Sequence, residues 1–264
     1  MTTVALPSTL ALGLTRGGAE LRQFFRQREQ VVFTFALPTI LMILLGSMLG
    51  GESAGQVLAA GMIGAGIVST SFNSMGIGLA ANREDGTLKR LRGTPMHSTS
   101  YFVGKIILVA VTSVAEVTLM LVVSIVMFGL KLPTDPGKWL TLIWAFALSV
   151  IGCALIGIVV SSIVKSATGA VALINLVYIS LQFISGVFVT PIANLPKVMV
   201  GIASFFPVKW ICQGFRSVFL PDQATVNEMA GTWELGTVAL VLGAWCIVGL
   251  VLCKLTFRWT NTEK

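Results

Sequence analysis

Six long apolar runs constrain the fold of this chain more than any other feature of its sequence. A helix needs about 20 mostly apolar residues to cross a hydrocarbon layer of roughly 30 Å. Charged residues make up 11% of the chain, whereas a soluble domain carries roughly 25%. We therefore expect an all-α, polytopic membrane protein with one transmembrane domain over residues 1–264. Its predicted spans are residues 31–49, 57–81, 103–128, 139–164, 167–189 and 235–257.

Basic residues predict the orientation of these spans, because short loops rich in lysine and arginine stay in the cytoplasm. Thirteen of the 18 basic residues fall on the side that would hold both termini, and five fall on the other side. We predict cytoplasmic termini and a location in the inner (cytoplasmic) membrane of the cell. Attraction to anionic lipid explains most of the net charge of +7, so no nucleic-acid partner is expected.

Apolar residues recur at helical spacing before the first span, with polar residues on the opposite side. The apolar set is Leu14, Leu21, Phe24 and Phe25. We predict an interfacial helix over residues 10–30, lying at the inner surface with its apolar face in the acyl region. A disordered basic tail is the alternative, because the periodic pattern is short.

Charge is concentrated between the second and third spans, in residues 82–100. Gly86 predicts a break that is followed by a short helix, capped by Asp85 or Thr87. The apolar side of this helix would hold Leu88 and Leu91. Such a helix could simply lie on anionic lipid. Because an acidic pair adjoins the basic residues, contact with another protein is the better interpretation.

The sequence lacks the motifs of several common catalytic and nucleotide-binding sites. It contains no G-x-x-x-x-G-K-[ST] loop, no H-E-x-x-H helix and no G-x-S-x-G turn. His97 is the only histidine, and the four cysteines show no metal-binding spacing. We predict that the chain is not an enzyme and holds no cofactor or metal, which leaves transport, channel or scaffold functions.

Two stretches resemble permeases of the ABC-2 exporter family, including the daunorubicin-resistance type. N-R-E-D-G-T-L-K-R-L-R-G-T-P, residues 82–95, resembles the family's E-x-G-T-(L)-x-x-L-x-x-(T)-P stretch. S-G-V-F-V-T-P-I-A-N-L-P, residues 185–196, followed by F-F-P-V-K-W, resembles the family's S-G-x-x-x-P-x-x-x-L-P segment. With six spans and an interfacial helix, the resemblance covers nearly the whole chain.

The resemblance implies that residues 82–100 form a coupling helix seated in a groove of a separate ATPase subunit. Two such subunits would bind ATP and Mg²⁺, and a second permease copy or a homologous permease would complete the complex. The cargo would be a small hydrophobic or amphipathic compound such as a drug, lipid or glycolipid. Membrane lipid would be a further partner of the permease. The predicted coupling residues are Arg83, Glu84, Asp85, Gly86, Thr87, Leu88, Lys89, Arg90, Arg92 and Pro95.

Residues 190–234 are neither a soluble domain nor a full span. Their apolar part, residues 198–206, is too short to cross a membrane. By resemblance they form short re-entrant helices at the outer side, which would pack against a partner copy. The residues that carry this prediction are Gly186, Pro191, Pro196 and Pro207. A plain outer loop without a mechanistic role is the alternative.

Glu116 is a carboxylic acid within the third span, where a charge costs from about 2.5 kcal/mol upward. It could carry protons, bind a cationic substrate, or contact Asn73, Asn175 or Gln182. A protonated structural acid is an equal alternative. A substrate pathway is predicted to involve Phe35, Met42, Glu116, Asn175 and Phe183, with the first and fifth spans favoured by the resemblance. The rival function is an ATP-independent channel or a proton-coupled carrier that uses Glu116.

Small residues recur every fourth position in two spans and predict close helix packing. The two rows are Gly61, Ala65, Ser69 and Asn73, and Ser149, Cys153, Gly157 and Ser161. The rows do not indicate which helices they meet.

Overall fold

The computed structural model describes residues 8–48, 52–93, 98–164, 166–189 and 191–256. These residues form α-helices joined by short turns, and no strand occurs among them. In chain order the helices are α1 (Thr9–Arg26), α2 (Arg28–Met48), α3 (Glu52–Val68), α4 (Ser74–Glu84), α5 (Thr87–Arg92), α6 (Ser98–Phe128), α7 (Pro136–Ile163), α8 (Ala167–Ile184), α9 (Lys197–Phe205), α10 (Pro207–Phe219) and α11 (Leu235–Thr256).

Six helical segments of the described chain are long and apolar enough to cross a membrane, which confirms the predicted fold class. They are Arg28–Met48, Ser53–Glu84, Thr99–Phe128, Pro136–Ile163, Ala167–Ile184 and Leu235–Thr256. The fifth ends five residues before the predicted boundary at 189. Gly186 follows it with a φ of 70°, a left-handed conformation that favours glycine and ends the helix.

The second span lies at the centre of the bundle and is not one continuous α-helix. A π-helical turn, Ser69–Asn73, joins α3 to α4. Of the 18 consecutive residues that are most apolar in this span, 89% are buried, whereas 17% are buried in the corresponding stretch of the fifth span. The neighbours of the second span include α2, α6, α7, α8 and α10. A Cβ atom on Gly157 of α7 would lie 2.7 Å from the carbonyl oxygen of Phe72, so this contact requires glycine.

The predicted interfacial helix is α1, and it has one exposed apolar face and one buried face that holds two glycines, Glu20 and Phe24. Leu14 and Phe25 are exposed, as expected for side chains that meet lipid. Phe24 is buried, and its ring lies 6.1 Å from that of Phe35 in α2. The buried side of α1 packs mainly against the first turns of α6. α1 therefore belongs to the bundle as well as to its surface.

The segment predicted as outer re-entrant helices contains α9 and α10, which meet at an angle of 93°. The indole Nε1 of Trp245, ten residues into α11, donates to the carbonyl of Phe205 at the end of α9 (2.8 Å). Lys138, at the start of α7, donates to the carbonyl of Leu220 just after α10 (2.8 Å). These two contacts tie the bent pair to α11 and α7, and its re-entrant path stays a prediction.

Every residue of α10 is buried. Its neighbours include α3, α7 and α11 of the same chain, so the described bundle itself encloses this helix. Packing of the segment against a partner copy stays a prediction. Three of the predicted prolines lie at helix starts, since Pro191 precedes the 3-10 turn Ile192–Asn194, Pro196 precedes α9, and Pro207 begins α10.

Candidate functional site

The charged loop, residues 82–93, comprises the last three residues of α4, which ends at Glu84, the turn after it and the short helix α5. Gly86 has a φ of 74°, the left-handed conformation that a sharp turn requires of glycine. The carboxylate of Asp85 accepts a hydrogen bond from the backbone N–H of Thr87 (2.8 Å), so Asp85 supplies the cap at the start of α5. Burial opposes ionisation of Asp85, but hydrogen bonds from Thr87 and the charge of Arg90 outweigh it and lower the pKa of the carboxyl group.

The short helix α5 separates apolar and charged side chains. Leu88 is fully buried and Leu91 packs partly buried against the same core. Lys89 and Arg90 are exposed, and the guanidinium of Arg90 donates to the carbonyl of Asp85 (3.2 Å). One leucine therefore anchors the helix while its basic face points outward. Pro95 and the side chain of Arg92 lie outside the described residues.

Three consecutive residues of the charged loop bind three other helices. Asn82 donates to the hydroxyl of Tyr101 in α6 (3.1 Å). Arg83 donates to the carbonyl of Ser161 near the end of α7 (2.7 Å). Glu84 accepts from the backbone N–H of Ala167 at the start of α8. The structure thus directs Arg83 and Glu84, predicted as coupling residues, toward their own chain.

A buried ion cluster lies beside the loop and was missed by sequence reasoning. Lys105 of α6 pairs with Glu20 of α1 at 2.8 Å, and Arg16 pairs with the same carboxylate at 3.1 Å. The guanidinium of Arg16 also lies 4.9 Å from the ring centroid of Tyr101. This cluster joins α1 to the tyrosine that holds Asn82. The sequence does contain a signal for this cluster, because Glu20 lies on the same side of the helix as the two glycines of α1 that are buried.

The residues predicted to line a substrate pathway are dispersed over α2, α6 and α8. Met42 is fully buried, and its sulfur accepts from the hydroxyl of Ser124 (3.4 Å). Phe183 is exposed on α8, whereas Phe35 and Asn175 are half-buried. The cavities beside α9 are lined by other residues. The set is thus spread over three helices, and its role in a substrate pathway stays a prediction.

Glu116 is fully buried in α6, and neither carboxyl oxygen has a hydrogen-bond partner among the described residues. A Cβ atom on Gly66 would lie 3.1 Å from its Oε1, so the acid faces α3. The suggested hydrogen bonds to Asn73, Asn175 or Gln182 are absent from the described contacts. An ionised carboxylate without a partner is costly in such surroundings.

Two features stabilise the segment around α9 and α10. A Cβ atom on Gly186 would lie 2.7 Å from Ile192, so this turn requires glycine as well as a positive φ. Arg216 of α10 forms a two-point ion pair with Glu228, with nitrogen to oxygen distances of 2.6 and 3.2 Å. Both side chains are buried. The sequence carries no periodic signal for this pair, because Glu228 lies in an irregular segment.

Comparison with known families shows the family of this chain. The family model for the ABC-2 type transporter matches residues 17–220, more than half of the chain, from within α1 to the end of α10. A comparison with curated proteins found no significant match. The chain therefore belongs to the ABC-2 type transporter family, and it is a multi-pass membrane permease component of an ABC-type transporter.

Proposed function

We propose that this chain is the membrane-spanning half of an ATP-driven exporter. It moves a hydrophobic or amphipathic compound, such as a drug, lipid or glycolipid, out across the cytoplasmic membrane. Two separate ATPase subunits bind ATP and Mg²⁺, since the sequence has no phosphate-binding loop of its own. Both termini are cytoplasmic, because the charged loop and most basic residues share that side.

The geometry of the charged loop is the observation that carries this proposal. Leu88 fixes α5 to the bundle, while Lys89 and Arg90 project from it. Asp85 lies beside them with its carboxylate held at the start of α5. A rigid surface with both charge signs suits a protein groove better than an anionic lipid layer. We assign the ATPase contact to this surface.

The loop's contacts with α6, α7 and α8 explain how a movement of the ATPase would reach the spans. Arg83 and Glu84 serve in this scheme as connections within the permease, and Lys89 and Arg90 serve as the contacts with the ATPase. A second permease copy would face the exposed apolar sides of α2 and α8. Leu37 and Leu176 are examples of these exposed side chains.

Charge reversal at the exposed positions tests the proposal. The permease is co-expressed with an ATPase from its gene neighbourhood, purified and reconstituted in vesicles. We expect Lys89→Glu with Arg90→Glu to abolish co-purification and substrate-stimulated ATP hydrolysis while membrane insertion stays normal. Arg26→Glu is the control, because Arg26 is an exposed arginine at the end of α1, on the same side. Normal ATPase stimulation in the double variant would refute the assignment.

A proton-coupled or ATP-independent carrier is the second candidate function, and Glu116 favours it. A buried acid with both oxygens unpartnered among the described residues is the type of group that proton carriers use. Membership of a transporter family whose members work with ATPases argues against it. Transport by the permease alone, in vesicles without any ATPase and driven by a proton gradient, would establish this alternative.

A further inference from the structure

Two adjoining grooves lie beside α9, on the side of the bundle opposite the charged loop. The polar groove has a volume of about 430 Å³ and is lined by Lys197, Ser204, Lys209, Trp210 and Glu234, among others. The apolar groove has a volume of about 260 Å³ and runs along α11. Ser204 lines both grooves. The two grooves therefore meet at Ser204, with the polar groove as the charged end on one side and the apolar groove as the apolar end on the other.

The charged end contains two cations and one anion. Lys197 is exposed at the first position of α9. Lys209 is buried, and its ammonium lies 3.7 Å from the ring centroid of Trp210, another wall of the groove. Glu234 supplies the carboxylate. This set matches a phosphate that carries an ammonium group nearby.

Glu234 is held in an unfavourable backbone conformation at this groove. Its φ of 45° is the only positive φ of a non-glycine residue among the described residues. Such strain persists where the surrounding structure enforces it, and it is frequent at binding sites. Gln213 donates toward one carboxylate oxygen (3.4 Å) and to the neighbouring carbonyl of Trp233 (3.0 Å). The carboxylate is therefore oriented by its neighbours.

The apolar groove lies deeper along α11 than the charged end. Glu234 directly precedes α11, whereas the groove is lined by residues from Leu240 to Val248. At 1.5 Å per residue, these positions are about 8–20 Å from the start of the helix. Because α11 is a membrane span, the charged end falls at headgroup level and the apolar end in the hydrocarbon layer. Phospholipids have the same order of groups.

We propose that the two grooves bind one phospholipid with an amine headgroup from the outer leaflet. Lys197 and Lys209 hold its phosphate, and Glu234 accepts from its ammonium group. One acyl chain occupies the groove beside Ala244 and Trp245. This lipid is a resident ligand of the permease rather than its cargo, and its binding does not depend on the proposed export function or on any ATPase.

Lipid retention tests the site directly. The full chain is reconstituted in bilayers of equal parts phosphatidylethanolamine and phosphatidylglycerol, extracted in mild detergent and examined by native mass spectrometry. We expect one retained phosphatidylethanolamine per chain. Lys197→Gln and Ala244→Phe should each lower its retention on the order of tenfold, as expected for the loss of a charge-assisted hydrogen bond or of the acyl position. Both residues are exposed, so folding should be normal.

Two control variants test whether the loss of lipid is specific to the grooves, and a variant of Glu234 tests the choice of headgroup. Lys131→Gln removes an exposed lysine on the same side, and Ile247→Phe enlarges an exposed residue of α11 that lines neither groove. Both should retain the lipid. Glu234→Gln should shift the bound lipid toward phosphatidylglycerol. Retention in Lys197→Gln and Ala244→Phe equal to that of the controls would overturn the site, and an unchanged headgroup ratio in Glu234→Gln would overturn the amine assignment.

Discussion

Replacing Glu20 by glutamine should release α1 from α6. At 2.8 Å, two unit charges attract by about 6 kcal/mol at an effective dielectric constant of about 20, and desolvation offsets a large part of this. Removing one partner of a buried pair costs about 3–5 kcal/mol. The side chains of Lys105 and Glu20 are 8% and 9% exposed, so we expect the lower value, about 3 kcal/mol. This corresponds to a factor on the order of 100 in the docking equilibrium of α1.

Hydrogen exchange measured by mass spectrometry gives the readout. In Glu20→Gln the amides of α1 should exchange about a hundredfold faster, with α7 unchanged. Glu29→Gln is the control, since Glu29 is exposed near the start of α2. Replacing both members of the closer pair, as Glu20→Leu with Lys105→Met, should recover part of the protection, because the two most buried charges are gone and Arg16, whose side chain is 20% exposed, can reach water. Wild-type exchange in Glu20→Gln would show that glycine packing alone holds α1 and that the electrostatic reasoning is wrong.

Three further predictions follow from buried contacts. Gly157→Val should lower the melting temperature in detergent through overpacking of about 1–3 kcal/mol, whereas Gly243→Ala, with open space around it, should not. Arg216→Leu should destabilise the protein by about 3–5 kcal/mol by leaving Glu228 buried and unpaired, and adding Glu228→Leu should restore part of the melting temperature. Glu116→Gln should leave the melting temperature nearly unchanged but alter transport of cationic relative to neutral compounds; equal effects on both classes would exclude contact with substrate.

The spans were predictable from sequence because the requirement for an apolar run is local. The end of the fifth span was not, since Gly186 stops the helix through a backbone conformation that hydropathy does not encode. The inward position of Leu88 and Leu91 in α5 also followed from local periodicity. Which side of α5 these leucines occupy depends only on residues three or four positions away in the sequence.

Contacts between residues far apart in the chain could not be predicted from the sequence. Glu20 and Lys105 are 85 positions apart, and their pairing depends on α1 packing against α6. The pathway residues, such as Met42 and Phe183, stay a prediction, because their role came from resemblance rather than from a known neighbour. The row from Gly61 to Asn73 assumed a continuous α-helix, but the π-helical turn changes the helical phase within that row.

The π-helical turn also determines where the charged loop points. One additional residue in a helical turn advances the following face by about 100° around the axis. Above this turn Gly61 and Gly66 face Arg216 and Glu116, and below it Gly76 faces Ile174 of α8. Deleting one residue from Ser69–Asn73 would therefore do more than shorten the span. It would rotate α4 and change the direction in which Lys89 and Arg90 project, so the five residues in the middle of the span set the orientation of the basic face of α5.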